Sequence, residues 1–350
     1  MRFPIVAVDL AKNTFQVAVL DPGEQQPRVK RLSRFQFERF IANQATSRFV
    51  VEACSTAHFW CRQLADLGHD PRMLPAQYVA SYRRRNKTDR ADTLALLEAD
   101  RAPDIWAVPV KSAEQQAIQH LHAVREQLVK ARTSWINQAR AMLHEQGFAI
   151  AQGASKARQA IPAIIEDADN GLPDALREVL FSIVEDLERI DERIKRVEHH
   201  LQTYRAHDAD AQRISQLPGV GLITSTAITA CVADIPQFTK ARQFPAWLGL
   251  TPREHSSGDR HQLGRITKQG NTYLRQLLIH GSRSALMTFL RKARRGEALD
   301  AFGQWAVRTY ERVGFNKAVV GVANKLARRI AAICRDETTY QPDTMAPVAA

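Results

Sequence analysis

A run of eight apolar residues, spaced alternately four and three apart, most constrains how this chain can fold. The run begins at Leu176 and comprises Leu176, Leu180, Ile183, Leu187, Ile190, Ile194, Val197 and Leu201. In an α-helix this spacing returns every apolar side chain to one edge. The pattern therefore predicts a long helix that must pack this edge against another helix.

Residues 112–146 predict a second long helix with similar spacing. Its apolar positions alternate by four and three and are broken at Gln138: Ala117, Leu121, Val124, Leu128, Ala131, Trp135 and Met142. The segment Gly147–Pro173 separates the two helices and carries Gly153, Pro162 and Gly171, which favour a connection. We expect a coiled-coil helical hairpin. Its seam could join two helices of one chain or two protomers, and the sequence leaves both open.

Residues 3–102 alternate between strand and helix patterns. Strands are expected at Phe3–Val8, Thr14–Leu20, Arg28–Ser33, Arg48–Cys54 and Pro71–Leu74. Helices are expected at Phe35–Ala45, at Ala57–Leu67 and on either side of Asn86–Asp89. Three meandering strands followed by alternating helices and strands is the order of a ribonuclease-H-like fold.

These patterns predict an α/β plus α protein in four parts. Residues 1–108 form the ribonuclease-H-like domain, 109–208 the coiled-coil linker, and 209–336 a mostly helical C-terminal domain. Residues 337–350 are polar or small with two prolines and predict a disordered tail.

The formal net charge of +12 favours a polyanionic partner, and nucleic acid is the first candidate. The first apolar run is interrupted by Asp9 and Lys12, which predicts neither a signal peptide nor a membrane span and favours a cytoplasmic protein. Cys54, His58 and Cys61 lie close together but lack a fourth zinc ligand. We expect buried thiols there.

Four carboxylates in the first domain stand where a metal site could form. Asp9 and Glu52 fall at the ends of two expected strands, while Asp89 and Asp92 are three residues apart at the start of a helix. Each acid alone could be a turn or cap residue. Together they could hold two divalent ions against a phosphodiester. Neighbouring cations suited to a phosphate backbone are Arg83, Arg84, Arg85, Lys87 and Arg90.

Two segments of the C-terminal domain could contact DNA. Leu217–Gly221 precedes a helix, and Gly219 and Gly221 could let backbone N–H groups approach a phosphate in a helix-hairpin-helix element, or form a structural turn. A later loop carries Ser256 and Ser257, one of which could attack phosphorus, although Ser-Ser-Gly is also an ordinary flexible loop. Candidate nucleic-acid contacts in and after this loop are Arg253, Arg260, Arg265, Lys268 and Arg275, with Arg291, Lys292, Arg294 and Arg295 further on.

These motifs resemble the DEDD-type transposases of insertion sequences, which are relatives of the Piv/MooV DNA invertases. The matching stretches are VAVDLAKNTF, VEAC, NKTDRADTLALL, LPGVG and GLTPREHSSG with GRITKQGNTYLR, which together span nearly the whole chain. The resemblance implies a RuvC-like domain in which Asp9, Glu52, Asp89 and Asp92 bind Mg²⁺ or Mn²⁺. It also implies a transposase whose nucleophilic serine forms a transient phosphoserine bond to DNA.

The family pattern places that serine directly before glycine, which corresponds to Ser257, with Ser256 as the alternative. The resemblance further implies a homo-oligomer, a dimer or tetramer, that acts on element ends and target DNA under the guidance of a noncoding bridge RNA. Two other functions remain open. One is a metal-dependent Holliday-junction-type endonuclease without a serine intermediate, and the other is a nonenzymatic helix-hairpin-helix scaffold. A tyrosine recombinase using Tyr310 has less support, because no surrounding Arg/His set is identifiable.

Overall fold

The computed structural model describes residues 3–83, 88–258 and 260–342. The chain divides into two compact units, Met1–Gln116 and Ala117–Ala350. As predicted, the protein is mixed α/β, mostly helical, with one central sheet. Among the described residues, no helix is both long enough and apolar enough to span a membrane.

The first unit is built on a five-stranded sheet in the order β3-β2-β1-β4-β5. Strands β1 to β3 are antiparallel, whereas β4 and β5 continue from β1 in parallel. The first and fourth strands are therefore neighbours in the sheet. The strands are β1 (Ile5–Asp9), β2 (Thr14–Leu20), β3 (Arg28–Ser33), β4 (Arg48–Glu52) and β5 (Asp70–Leu74).

Helices cover both faces of this sheet. They are α1 (Arg34–Asn43), α2 (Ala57–Asp66), α3 (Ala76–Val79), a 3₁₀ turn (Ala80–Tyr82) and α4 (Asp89–Asp100). Val6 packs with Phe37 and Trp60 of α1 and α2, whereas Ala7 packs with Leu96 of α4. Since successive strand residues point to opposite faces, every strand position belongs to one of these two layers.

The thiol prediction was right for Cys61 and wrong for Cys54. Cys61 is buried in the layer of α1 and α2, and burial raises the pKa of its thiol to about 12. Cys54 is exposed because it follows β4 in a surface turn. His58 accepts a hydrogen bond at Nδ1 from the backbone N–H of Lys111, at 3.1 Å.

The second unit contains two long helices and a compact C-terminal helical core. Helix α5 begins in the last residues of the first unit and continues through the second. The helices are α5 (Ala113–Glu145), α6 (Ala154–Glu166), α7 (Asp174–His207), α8 (Ala209–Ser215), α9 (Leu222–Cys231), α10 (Gln243–Trp247), α11 (Thr272–Arg294), α12 (Ala301–Val313) and α13 (Phe315–Arg335). A two-stranded hairpin is formed by β6 (Pro252–Glu254) and β7 (Leu263–Ile266).

The apolar edge of α7 packs against α5 of the same chain. Leu180 and Leu187 share a buried cluster with Leu143. Ion pairs join Arg125 to Glu198 at 2.8 Å and Arg132 to Asp191 at 3.2 Å. Arg125 precedes Arg132 on α5, whereas their partner Glu198 follows Asp191 on α7. The two helices therefore run antiparallel. In this structure, α5 and α7 thus pair within one chain.

The predicted apolar seam of α5 was right at Leu128 but one residue out of phase elsewhere. Val124 and Trp135 are 43% and 38% exposed, whereas Ile118 and Ile136 are buried. Helix α5 carries apolar residues on two adjacent stripes, so the spacing alone could not select the stripe that α7 covers. The connection between the helices also contains α6, which buries Ile161 beside Pro162. Burial of this apolar face holds the helix despite the proline.

A turn between α8 and α9 packs tightly on α11. Gly219 has a φ of +85°, and a Cβ atom there would lie 2.4 Å from the carbonyl oxygen of Gly281. The contact is reciprocal, since a Cβ on Gly281 would lie 2.0 Å from the carbonyl oxygen of Gly219. Of the two roles that the sequence left open for this turn, Gly219 has the structural one, because it packs against Gly281.

Replacing Gly219 with Ala should lower the free energy of unfolding by about 2–4 kcal/mol, because the methyl group meets backbone in a left-handed conformation. Gly221→Ala is the matched control. Gly221 has a φ of −93°, and a Cβ atom there meets nothing within 4 Å. Its substitution should cost at most about 1 kcal/mol, as an N-cap change. Urea unfolding compares the two, and equal losses would contradict the close packing.

His122 of α5 is buried between two helices of the core. Its Nε2 lies 3.0 Å from Thr226 Oγ1 on α9, and its Nδ1 lies 3.0 Å from Tyr273 Oη on α11. Burial, aided by the charge of Arg125, lowers the pKa of His122 to about 4. The neutral imidazole therefore links α5 to α9 and α11 through these two hydrogen bonds.

Acid should weaken the protein through His122. Below pH 6.5 the imidazole of the unfolded chain becomes protonated, whereas the folded imidazole becomes protonated only below about pH 4. The free energy of unfolding should fall over this interval by on the order of 3 kcal/mol from this group. His122→Gln should be less stable at pH 7 and show a shallower fall between pH 7 and 5 in urea unfolding. Parallel pH profiles for the two proteins would contradict the assignment.

Candidate functional site

Asp9 and Glu52 lie side by side at the carboxyl ends of neighbouring strands. Val8 of β1 pairs with Val51 of β4 in parallel register, so the next residues on each strand, the two acids, stand level with each other. Both side chains are partly buried. The register thus brings together two of the four predicted metal ligands.

Both acids belong to the sheet face that α4 covers. They follow Ala7 and Val50 by two residues, and both of these pack in the layer of α4. On α4, Asp92 precedes the buried Leu96 by one turn, so it lies on the stripe that faces the sheet. Asp89 lies one turn earlier on the same stripe.

Thr88 determines where α4 begins. Its Oγ1 accepts a hydrogen bond from the backbone N–H of Ala91 at 3.2 Å, which places Asp89 and Asp92 in the first turn. The N-terminal end of a helix favours negative charge. Asp89 is exposed, whereas the Asp92 side chain is 16% exposed.

Asp92 already has a cationic partner. Arg83 Nε lies 2.6 Å from Asp92 Oδ1, yet within the described ranges neither buried atom has a hydrogen bond of ordinary geometry. The contact is an ion pair that neutralises the carboxylate. Of the other cations predicted here, Arg90 is exposed, and Arg84, Arg85 and Lys87 lie outside the described residues.

The four acids share a face but do not converge. In residues 3–83, 88–258 and 260–342, no group of three or more His, Cys, Asp or Glu side chains is close enough to hold a metal ion. Oxygen donors are the ligands that Mg²⁺ and Mn²⁺ prefer. The buried Asp92 Oδ1, which is ion-paired with Arg83 but has no hydrogen bond of ordinary geometry, is an oxygen donor of that kind. The oxygen donors therefore suit a divalent ion, but in this structure no three of the described side chains lie close enough together to bind one.

The predicted serine loop is a β-hairpin rather than an irregular loop. The backbone N–H of His255 donates to the Gln262 carbonyl oxygen at 2.9 Å, and Ser257 and Arg260 exchange two backbone hydrogen bonds of 3.2 Å. Gly258, with a φ of +54°, starts the reversal at the tip. Sequence reasoning missed this hairpin because its strands are short and every residue of β6 is exposed, so no apolar alternation marks them.

The hairpin separates the two candidate serines onto opposite faces. The Ser256 hydroxyl donates to Glu254 Oε1 at 2.7 Å and accepts from the Gln262 N–H at 3.3 Å. Ser257 stands directly across from Arg260. Within the described chain its hydroxyl makes no hydrogen bond. Ser256 is thus occupied in holding the hairpin, whereas Ser257 is exposed beside a cation.

Two glycines close the base of this hairpin. A Cβ atom on Gly249 would lie 2.2 Å from the Gln269 carbonyl oxygen, and one on Gly270 would lie 1.9 Å from the Trp247 carbonyl oxygen.

The predicted nucleic-acid contacts Arg253, Arg260, Arg265 and Lys268 are all exposed on or just beyond the hairpin. The later cations Arg291, Lys292, Arg294 and Arg295 are exposed at the end of α11.

Arg275 is a correction to the predicted nucleic-acid contacts. Its side chain is buried, and its guanidinium donates to the carbonyl oxygens of Leu248 and Gln269 at 3.0 and 2.9 Å. These bonds satisfy the charged group inside the unit, so we assign Arg275 to packing. Gly221 remains exposed at the start of α9, while Gly219 packs on α11.

The chain is similar to known proteins over almost its whole length. Residues 211–296 match the family described as "Transposase IS116/IS110/IS902 family", and residues 6–147 match a DEDD transposase family of the IS110 type. A "Probable family 20 transposase" of Pseudomonas aeruginosa is 38% identical over 343 residues, which cover 98% of this chain and 100% of that protein. This chain belongs to the IS110 family of transposases.

Other relatives agree with this assignment. The transposase for insertion sequence element IS1111A of Coxiella burnetii is 36% identical over 96% of this chain and 91% of its own length. The transposase for IS1328 of Yersinia enterocolitica is 30% identical over 93% and 94%. The protein is therefore a DNA transposase of an insertion sequence. The matched region 6–147 contains the four acids, and the matched region 211–296 contains the serine hairpin.

Proposed function

We propose that this transposase cleaves and rejoins DNA strands through a covalent phosphoserine intermediate, with the carboxylates of one subunit and the Ser257 hairpin of another acting on the same phosphate. The observation that carries the proposal is the contrast between the two serines. Ser256 is hydrogen-bonded within the hairpin, whereas Ser257 is exposed opposite Arg260. The second half of the proposed site is the pair of carboxylates of Asp9 and Glu52, which are level with each other on one face of the sheet.

Asp9, Glu52, Asp89 and Asp92 are the residues that would hold Mg²⁺ or Mn²⁺. Their shared face and all-oxygen chemistry support this role. When bound, such an ion supplies Lewis-acid stabilisation of negative charge on a phosphate. Arg83 would give up its ion pair with Asp92 and become free to contact the DNA backbone, as its neighbours Arg84, Arg85, Lys87 and Arg90 are proposed to do.

The chemistry exchanges one phosphate ester for another. Ser257 Oγ attacks phosphorus, a phosphoserine ester forms, and the bond from phosphorus to the sugar oxygen breaks. The serine proton leaves in the same step, and the departing oxygen ends as a free hydroxyl. Attack by a hydroxyl of another strand reverses these steps and restores the serine. Because the ester is conserved, rejoining needs no external energy source.

Arg260 is placed to stabilise charge during this exchange. In the hairpin it is the cross-strand neighbour of Ser257, and directly paired residues project on the same face. A guanidinium there can bind the phosphate oxygens that gain charge in the transition state. Arg253, Arg265 and Lys268 would hold the flanking backbone, with the N–H groups at the Gly219–Gly221 turn as a further phosphate contact.

The proposed partners are the element ends, the target DNA and a noncoding bridge RNA that selects sites by base pairing. The proposed assembly is a dimer or tetramer in which the serine of one subunit meets the carboxylates of another. Trp135 and Val124, which α7 leaves exposed on α5, offer apolar surface for such an assembly.

A mixing experiment tests the shared site. Chains carrying Asp9→Asn and chains carrying Ser257→Ala are expressed separately and together in cells that hold the element with its flanking DNA. If the serine and carboxylates come from different subunits, mixed oligomers contain some intact sites and sealed junctions return. Junctions that stay absent in the mixture, with both chains expressed and associated, would contradict a site shared between subunits.

A further inference from the structure

One row of side chains crosses all five strands of the sheet. Leu74 pairs with Glu52, which stands level with Asp9, and the pairing continues from Asp9 to Gln16 and from Gln16 to Arg31. Residues paired across neighbouring strands project on the same face. The row therefore runs from a buried leucine through the two carboxylates and an amide to a cation.

The neighbours of Arg31 confirm its face. Val29, two residues earlier, packs in the layer of α4 together with Ala7 and Val50. Lys30 points the other way, with its ammonium 5.7 Å from the ring of Phe40 on α1. Arg31 thus lies on the carboxylate face at the edge of the sheet, and Lys30 lies on the opposite face.

Arg31 also differs from nearby arginines in its charge partners. Arg28 is ion-paired with Asp21, and Arg34 with Glu38. Arg31 is exposed and has no ion pair in the part of the chain that the structure describes. An uncompensated guanidinium on the same row as an acidic site has no evident structural task. Its planar fork of donors suits a phosphate.

The distance along the row indicates which phosphate. Two strand spacings separate Asp9 from Arg31, so their backbones are about 10 Å apart. That separation suits a phosphate next to the one held at the carboxylates rather than the same one. We propose that Arg31 binds this neighbouring phosphate and holds the DNA strand along the row, with the Gln16 amide between them as an additional donor. The inference rests on the proposed cleavage site at Asp9 and Glu52.

The test compares Arg31→Gln with Lys30→Gln in the full chain. Lys30 is adjacent, has the same charge and lies on the opposite face. Binding of a fluorescently labelled DNA of the element end is measured by anisotropy at several salt concentrations. All proteins carry Asp9→Asn so that no strand is cut. Arg31→Gln should weaken binding by about fivefold and lower the magnitude of the salt slope by about 1. Lys30→Gln should change neither.

Equal effects of the two substitutions, or none, would overturn the inference, because they would indicate a diffuse charge effect or no contact. Arg31→Lys guards against a folding defect, since it keeps the charge and should bind within about threefold of Arg31. Binding as weak as that of Arg31→Gln would also overturn a simple phosphate contact. The proposed cleavage site is judged separately, by whether Asp9→Asn alone abolishes junction formation, so either idea can fail without the other.

Discussion

Ser257→Ala should abolish sealed junctions in cells that carry the element with its flanking noncoding DNA. Ser257 is the proposed attacking group, and alanine removes the only atom that can form the phosphoserine ester. We expect a fall of at least about a thousandfold in junction products measured by quantitative PCR, as is typical when a nucleophile is removed. The side chain is exposed, so the loss should occur without a change in thermal unfolding.

Ser256→Ala is the matched control, one residue away on the opposite face of the hairpin. It removes a hydrogen bond to Glu254 and one from the Gln262 N–H. Both bonds are exposed, and each contributes on the order of 1 kcal/mol or less. Junction formation should therefore stay within about tenfold of the wild type. Loss with Ser256→Ala and survival with Ser257→Ala would move the nucleophile back by one residue. Survival in both variants would favour a metal-dependent nuclease without a serine intermediate.

Asp9→Asn should have an effect of similar size, with the fold retained. Asp9 ends the central strand and lies level with Glu52, so the pair is the innermost part of the proposed ion site. The amide keeps the shape of the carboxylate but removes the negative charge that a divalent ion requires. Junctions should again fall by at least about a thousandfold. Added Mg²⁺ or Mn²⁺ should raise the unfolding temperature of the wild type but not of the variant.

Glu38→Gln is the control for this substitution. Glu38 is an exposed acid on α1, on the other side of the sheet, and its partner is Arg34. Its replacement removes the same unit of charge without touching the carboxylate row, so activity and metal stabilisation should both be retained. Full activity of Asp9→Asn at normal expression would remove the metal site from the mechanism. An equal loss in Glu38→Gln would indicate that general charge, rather than the row, matters.

The strands of the first unit were largely predictable from the sequence. Thr14–Leu20 and Arg28–Ser33 match the predicted strands residue for residue, because turn residues and alternation mark both ends. The first strand extends one residue beyond its predicted end to include Asp9, and the fourth ends at Glu52, two residues before its predicted end at Cys54. The positions of the acids were therefore readable from the chain, together with the start of a helix at Asp89.

Side-chain partners were not readable in the same way. Arg275 looked like another cation of a basic segment, yet it lies buried and binds two carbonyl oxygens. Gly219 could have been either a phosphate-binding glycine or a structural one, and it packs against Gly281 on a helix some sixty residues later in the chain. In both cases the deciding contact comes from a distant segment, which local patterns do not encode.

The sequence by itself determined the family and, in the first unit, the classes of element and their order, since these follow from periodicity, turn residues and motifs along the chain. The tertiary structure decided which stripe of α5 is covered, which serine is free, and that Arg31 lies on the row of Asp9 and Glu52. Each of these depends on the register or packing of segments brought together from elsewhere. Such pairings are selected by the free energy of burying whole faces, which no single stretch of sequence specifies.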